Sequence, residues 1–117
     1  MEKFMLLIRE DLKKLRQSTE EQRSAEIKRM HEWTKSLAAS GNLVHTDPLD
    51  ATGRYVTKTQ VLSDGPFIDA KEGIAGYYNI FAESINHAVV IAQSCPLILL
   101  DEAAIEVRPI IDPEPLL

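Results

Sequence analysis

The most distinctive candidate for chemistry in this sequence is an aspartate inside a tight turn. Asp64 begins the run Asp64-Gly65-Pro66-Phe67, and a Gly-Pro pair after an aspartate is a strong turn signal. The Asp64 carboxylate either bonds backbone amides of its own turn or acts as a base or binding group at the mouth of a cavity. Phe67 either fills the core or offers its ring to a ligand. We therefore take Asp64 as the candidate catalytic residue and Phe67 as a candidate ligand contact.

Two arginines on predicted strands are candidates for binding an anion. Arg108 and Glu106 alternate with apolar residues of the last strand, and Arg9 follows the same alternation at the end of the first strand. Together on one sheet face, the two arginines could clamp a carboxylate. The alternative is that they pair with Glu106 and Asp64, which would make them structural.

Lys71 and Tyr78 complete the set of candidate ligand-binding residues. Lys71 could supply a cation to a bound anion with Glu72 orienting it, or the two side chains could form a solvated ion pair. Tyr77 and Tyr78 point to opposite faces of a predicted strand, so one of them could offer its hydroxyl to a pocket. We take Tyr78 as the candidate.

No spacing in the sequence predicts a metal or cofactor site. His31, His45 and His87 are scattered and form no ligand-like pattern. His31 is expected on the flank of a helix, His45 on a short strand and His87 in solvent. Cys95, the one cysteine, is predicted to be an inert core thiol. There is no glycine-rich phosphate loop and no nucleophile elbow, so we expect neither a metal nor a cofactor.

The composition indicates one globular domain over residues 1–117, with a flexible tail over 112–117. The formal net charge of -5 disfavours nucleic acid and acidic membrane surfaces as partners. The apolar run near the first residue is too short for a signal-peptide core or a membrane span. A single cysteine suits a reducing compartment, so we expect a cytoplasmic protein.

Five strands and two helices are predicted from the hydrophobic patterning. The strands are expected at 4–8, 43–46, 54–62, 74–81 and 104–111, and the segment 10–17 is expected to be a loop or a frayed turn. The first helix begins near Thr19, which has capping-box spacing to Gln22, and ends before Gly41. Its apolar face is expected to carry Ile27, Met30, Thr34 and Leu37.

The second helix is capped by Ser84 and ended by Pro96. Its inner face is expected to carry Ile85, Ala88, Val89, Ala92 and Cys95.

This order predicts an α+β fold of the ferredoxin-like βαβ-βαβ type with an extra hairpin. Helices would cover one sheet face, yet the first and fourth predicted strands are apolar on both alternations. An exposed apolar sheet face would forfeit several kcal/mol at ~25 cal/mol per Å². We therefore expect a homodimer packed sheet to sheet, with Met5 and Leu7 or their neighbours at the interface.

The segment from Asp64 to Glu72, followed by Gly76-Tyr77-Tyr78, resembles the DGPF branch of the YCII-related family. Three weaker stretches agree, and the resemblance runs from about Lys3 to Ile110. They are Met5 to Ile8, Ala92 to Pro96 and Ile105 to Pro109.

The resemblance implies a dimeric α+β barrel of ferredoxin-like protomers and says little about function. The related YCII branch is thought to use a His-Asp pair, with the histidine early in the first helix after an arginine. Here Arg23 is followed three residues later by Glu26, and His31 lies about two turns deeper. The His-Asp pair is therefore not carried over to this chain.

Three functions are compatible with this sequence. The first is a cofactor-free enzyme acting by proton transfer, elimination or isomerisation on a small apolar or aromatic substrate, with Asp64 as base. The alternative is a non-catalytic ligand-binding or regulatory dimeric module that uses the same cavity. The third is a dimeric accessory protein that acts through its surface.

Overall fold

Four antiparallel strands form the main sheet of the protein, in a computed structural model that describes residues 1–50, 52–63 and 72–112. The strands of the chain are β1 (Glu2–Asp11), β2 (Leu43–Pro48), β3 (Arg54–Val56), β4 (Val61–Ser63), β5 (Glu72–Ala82) and β6 (Ala103–Pro109). The helices are α1 (Leu12–Gln17), α2 (Glu20–Ala39), α3 (Ile85–Gln93) and α4 (Pro96–Leu99).

The main sheet has the order β2-β5-β1-β6, and every neighbouring pair is antiparallel. The strands β3 and β4 form a separate two-stranded sheet. The protein is therefore an α+β domain whose main sheet is compatible with the predicted ferredoxin-like fold. The dimeric barrel stays a prediction.

The alternation of β1 divides the main sheet into a covered face and an open face. Phe4, Leu6 and Ile8 are buried in the core with residues of α2, α3 and α4. Burial of each such side chain contributes about 1.5–3 kcal/mol. Met5 and Leu7 are only half-buried on the opposite face. We call that side the open sheet face, and it carries Met5, Leu7, Arg9, His45, Asp47, Tyr77, Asn79, Phe81, Glu106 and Arg108.

The prediction for α2 is confirmed at both ends. Thr19 caps the helix and forms the expected capping box with Gln22, and Gly41 follows the helix with a φ of 80°. The predicted apolar face is wrong in part, because Ile27 is 69% exposed and Trp33 is buried. Met30 and Leu37 do pack in or against the core, so the buried stripe is shifted towards Trp33.

The predicted loop over 10–17 is wrong. β1 continues to Asp11, and the Asp11 carboxylate accepts hydrogen bonds from the backbone N–H groups of Lys13 and Lys14. This side-chain cap starts α1 directly after the strand.

The single predicted strand over 54–62 is also wrong. The chain turns back after Val56, where the Thr57 hydroxyl accepts a hydrogen bond from Gln60 N, and the strands β3 and β4 pair across this turn. The other predicted strands are present with slightly different bounds.

The second predicted helix is present as α3, capped by Ser84. It ends at Gln93, and Pro96 begins the short helix α4 at a position where proline needs no hydrogen-bond partner. The predicted inner face is confirmed for Ala88, Ala92 and Cys95, which are buried together with Ile91. It is wrong for Ile85 and Val89, which are exposed.

No helix in the described part of the chain is long and apolar enough to cross a membrane. The cytoplasmic location stays a prediction. Most of the predicted tail over 112–117 lies outside the described residues.

Candidate functional site

The residues predicted to form a site fall into three groups. Asp64, Phe67 and Lys71 lie outside the described residues. Arg9 and Arg108 lie on the open sheet face. Tyr78 lies on the covered face, where its side chain is buried. The structure therefore separates Tyr78 from the two arginines, and the site roles of all six residues stay predictions.

Arg9 and Arg108 converge on one carboxylate. Arg9 donates from Nε and Nη2 to Glu106 Oε1 at 3.1 and 3.0 Å, and Arg108 donates from Nε to Glu106 Oε2. The bonds from Arg108 and Arg9 hold the pKa of Glu106 below its ordinary value. Both arginines therefore pair with Glu106, which was the predicted alternative to an anion clamp.

A second polar cluster lies at the β2 edge of the same face. The Tyr77 hydroxyl donates to Asp47 Oδ2 at 2.6 Å, and His45 Nε2 lies 2.9 Å from the same oxygen. The bond from Tyr77, followed by that from His45, lowers the pKa of Asp47. In turn, the Asp47 carboxylate raises the pKa of Tyr77. All three side chains are accessible in the single chain.

A cavity with a mainly apolar lining lies on the other side of the sheet. It has a volume of about 540 Å³ and opens between α2 and the end of the sheet where β1 and β2 finish and β5 begins. We call it the helix-side cavity. Its apolar wall includes Ile8, Leu15, Ile27, Met30, Leu49 and Leu97.

A carboxyl pair forms part of the wall of the helix-side cavity. Glu10 continues the inward alternation of β1, is 8% exposed, and shares a hydrogen bond with Glu26 of α2. Burial, the bond to Glu26 and the negative charges of Glu26 and Glu102 together raise the pKa of Glu10 to about 8. At neutral pH Glu10 therefore carries a proton.

Tyr78 lines the same cavity from the sheet side. Its hydroxyl lies 2.7 Å from Thr34 Oγ1, and the Thr34 hydroxyl itself donates to the backbone carbonyl of Met30. Tyr78 is therefore the donor in the pair. The ring of Trp33 lies 4.8 Å from the ring of Tyr78, and Trp33 Nε1 donates to Ser94 Oγ. These contacts fix the position of the tyrosine.

The histidines and the cysteine have ordinary structural surroundings. His31 is exposed at the rim of the cavity, and His87 Nδ1 accepts a hydrogen bond from Glu83 N instead of facing only solvent. Cys95 is fully buried with its Sγ 3.8 Å from Met30 Sδ, and burial raises the pKa of its thiol. In the described ranges no three His, Cys, Asp or Glu side chains are grouped as metal ligands would be.

Sequence reasoning missed Glu10 and Glu26, although a signal was present for each. Extending the alternation Phe4, Leu6, Ile8 by one step reaches Glu10. Glu26 stands four residues before Met30, on the stripe of α2 that faces the sheet. Glu26 is also the residue found where the resemblance led us to look for a histidine.

The comparison with curated proteins gave no match to this chain. The family model for the YCII-related domain matches residues 3–113, which is nearly the whole sequence. The DGPF branch within that family stays a prediction. The chain belongs to the YCII-related domain family.

Proposed function

We propose that this protein binds a small, predominantly apolar molecule in the helix-side cavity. The observation that carries the proposal is the cavity itself, because its volume of about 540 Å³ falls within the range of about 300–1,000 Å³ common for ligand pockets. A mainly apolar lining with a small number of polar groups is also typical of such pockets.

Binding can be tested with the neutral fluorescent probe 1-N-phenylnaphthylamine. We expect saturable binding, and an affinity at least about tenfold lower in the variant Ile27→Trp, whose larger side chain would occupy the rim. Ser24→Trp is the matched control, because Ser24 is exposed on the same helix outside the cavity lining. Equal affinities in all three proteins would contradict the proposal.

The same cavity would serve an enzyme or a regulatory binding module. These two functions differ only in whether the bound molecule is converted. Once a converted compound is known, loss of turnover with retained binding in Asp64→Asn would identify Asp64 as the base, as the sequence suggests.

We also propose that two copies of the chain pack through their open sheet faces. Met5, Leu7 and Phe81 supply half-buried apolar surface in the middle strands. Two sheets that pack face to face lie about 10 Å apart and bury such side chains between them.

The charges at the two edges of the open sheet face support one arrangement of the copies. Glu106 with Arg9 and Arg108 gives the β6 edge a net charge of +1, and the Asp47 carboxylate supplies negative charge at the β2 edge. A two-fold axis parallel to the strands would place each positive edge over a negative edge of the other copy.

A further inference from the structure

Glu10 occupies an unusual position for an acidic residue. It lies in β1, a central strand of the main sheet, opposite Gly73 of β5 and Ala103 of β6. Its side chain is more than nine-tenths buried and borders the helix-side cavity. Among the described residues no lysine or arginine forms a salt bridge with it. A carboxyl that served packing alone would be replaced by an apolar side chain at a gain in stability.

The groups around Glu10 come from every element packed at this end of the sheet. They are Asp11 of β1, Lys14 of α1, Arg23, Glu26, Arg29 and His31 of α2, Asp47 of β2, Tyr78 of β5, Cys95 before α4, and Glu102 before β6. Arg29 has a buried Nε without a hydrogen-bond partner in the described chain, and it lines a neighbouring cavity together with Glu10 and Glu26. The polar groups at this end are thus not fully satisfied within the chain.

We propose that Glu10 and Glu26 are the acid–base pair of the helix-side cavity and shift a proton within a small, enolisable carbonyl compound. The inference rests on the proposed binding function and adds the chemistry and the substrate class. It assigns this chemistry to carboxyls other than Asp64.

The geometry supplies one acid and one base side by side. Glu10 keeps a proton at neutral pH, whereas Glu26 faces the same space and is less buried. Two carboxyls that share one proton are suited to giving and taking a proton in a single event.

The proton shift is balanced without a cofactor. The Glu26 carboxylate takes a proton from the carbon next to the carbonyl group, and the C–H electron pair forms a C=C bond. The carbonyl π pair moves to oxygen, which receives the proton of Glu10. The product is the enol isomer, and the pair still holds one proton, now on Glu26. This proton returns to Glu10 along their hydrogen bond.

The substrate class follows from the proton and charge balance of this reaction and from the residues that line the cavity. The net charge of the pair is the same before and after the shift, so no leaving group or external reductant is required. The lining of the cavity is mainly apolar, which suits an aryl or alkyl ketone better than a strongly hydrated anion.

Deuterium uptake from D₂O into acetophenone and 2-indanone tests the proposal, with binding of each ketone followed separately by saturation-transfer NMR. We expect the wild-type protein to catalyse uptake at the carbon next to the carbonyl group. Glu10→Gln and Glu26→Gln should each lower the rate by about 100-fold or more while the ketones still bind. Glu32→Gln, on the exposed part of α2, should exchange like the wild type.

Thermal unfolding of each variant verifies that it is folded before its rate is compared. If either ketone binds and no uptake occurs, or if both glutamine variants exchange like Glu32→Gln, the acid–base role is overturned and the binding function stands. If neither ketone binds the folded wild-type protein, the substrate class is wrong, and the binding function is then decided by the 1-N-phenylnaphthylamine measurement.

Discussion

Glu10 holds an ionisable group where water is largely excluded, and this has a consequence for stability. Its pKa is raised from 4.5 to about 8 in the folded protein, because burial and the neighbouring Glu26 disfavour the charged form. Between these two values the folded state binds more protons than the unfolded state. The free energy of unfolding must therefore decrease as the pH rises through this window.

Urea unfolding of the wild type and of Glu10→Gln between pH 5 and pH 8 measures this effect. The wild type should lose stability across this range, by at most about 4 kcal/mol, because a difference of one bound proton changes the free energy of unfolding by about 1.36 kcal/mol per pH unit. Glu10→Gln should remove that decline, whereas Glu32→Gln should keep it. Asp47 and Glu106 have lowered pKa values and affect stability at more acidic pH. Identical pH profiles for wild type and Glu10→Gln would show that Glu10 ionises normally.

The site was only partly predictable at the scale of residues. Strand alternation correctly brought Arg9, Arg108 and Glu106 onto one face, because side chains alternate strictly along β1 and β6. The same alternation reaches Glu10 one step after Ile8, but the position of Glu26 and Tyr78 on the same cavity depends on how α2 packs on the sheet. Glu10 was overlooked because a charged residue normally marks the end of a buried strand, whereas here its proton makes burial tolerable.

At the scale of elements, the sequence was most informative where a local motif has one structural outcome. The capping box at Thr19 and the glycine at position 41 correctly delimit α2. The predicted elements were wrong at two places where one side chain forms a hydrogen bond with a backbone group. The Asp11 carboxylate starts α1, and the Thr57 hydroxyl turns a β-rich stretch into a hairpin. Such bonds leave the hydrophobic pattern unchanged, so patterning could not reveal them.

The faces of the helices were predicted less well than their ends. Ile27, Ile85 and Val89 are exposed, although each is spaced like a core residue. Two adjacent stripes of a helix satisfy the same spacing, and the choice between them depends on how the helix packs on the sheet. Trp33 of α2 and Ile91 of α3 are buried instead.

In the proposed dimer, the open sheet face of each copy forms the interface with the other copy. Sedimentation velocity at micromolar concentration should give a mass twice 13.1 kDa for the wild type. Leu7→Asp should give a monomer, because it places an unpaired charge at the centre of the interface. Val90→Asp makes the same kind of change at an exposed site on α3 and should remain dimeric.

Salt provides a second criterion for the arrangement of the two copies. If oppositely charged edges meet, raising the ionic strength should weaken association. A wild-type monomer at all concentrations tested, or a dimer that Leu7→Asp leaves intact, would rule out packing through this face.

The central claim, that the helix-side cavity is the ligand site, is tested most directly by methyl NMR during a titration with acetophenone. The account predicts saturable shifts at the methyl groups that line the cavity, with Leu7 and Met5 on the open sheet face unaffected. The reporting residues are Ile8, Leu15, Ile27, Leu49 and Leu97. Shifts confined to Leu7 and Met5, or no saturable shift at any of these methyl groups, would contradict it.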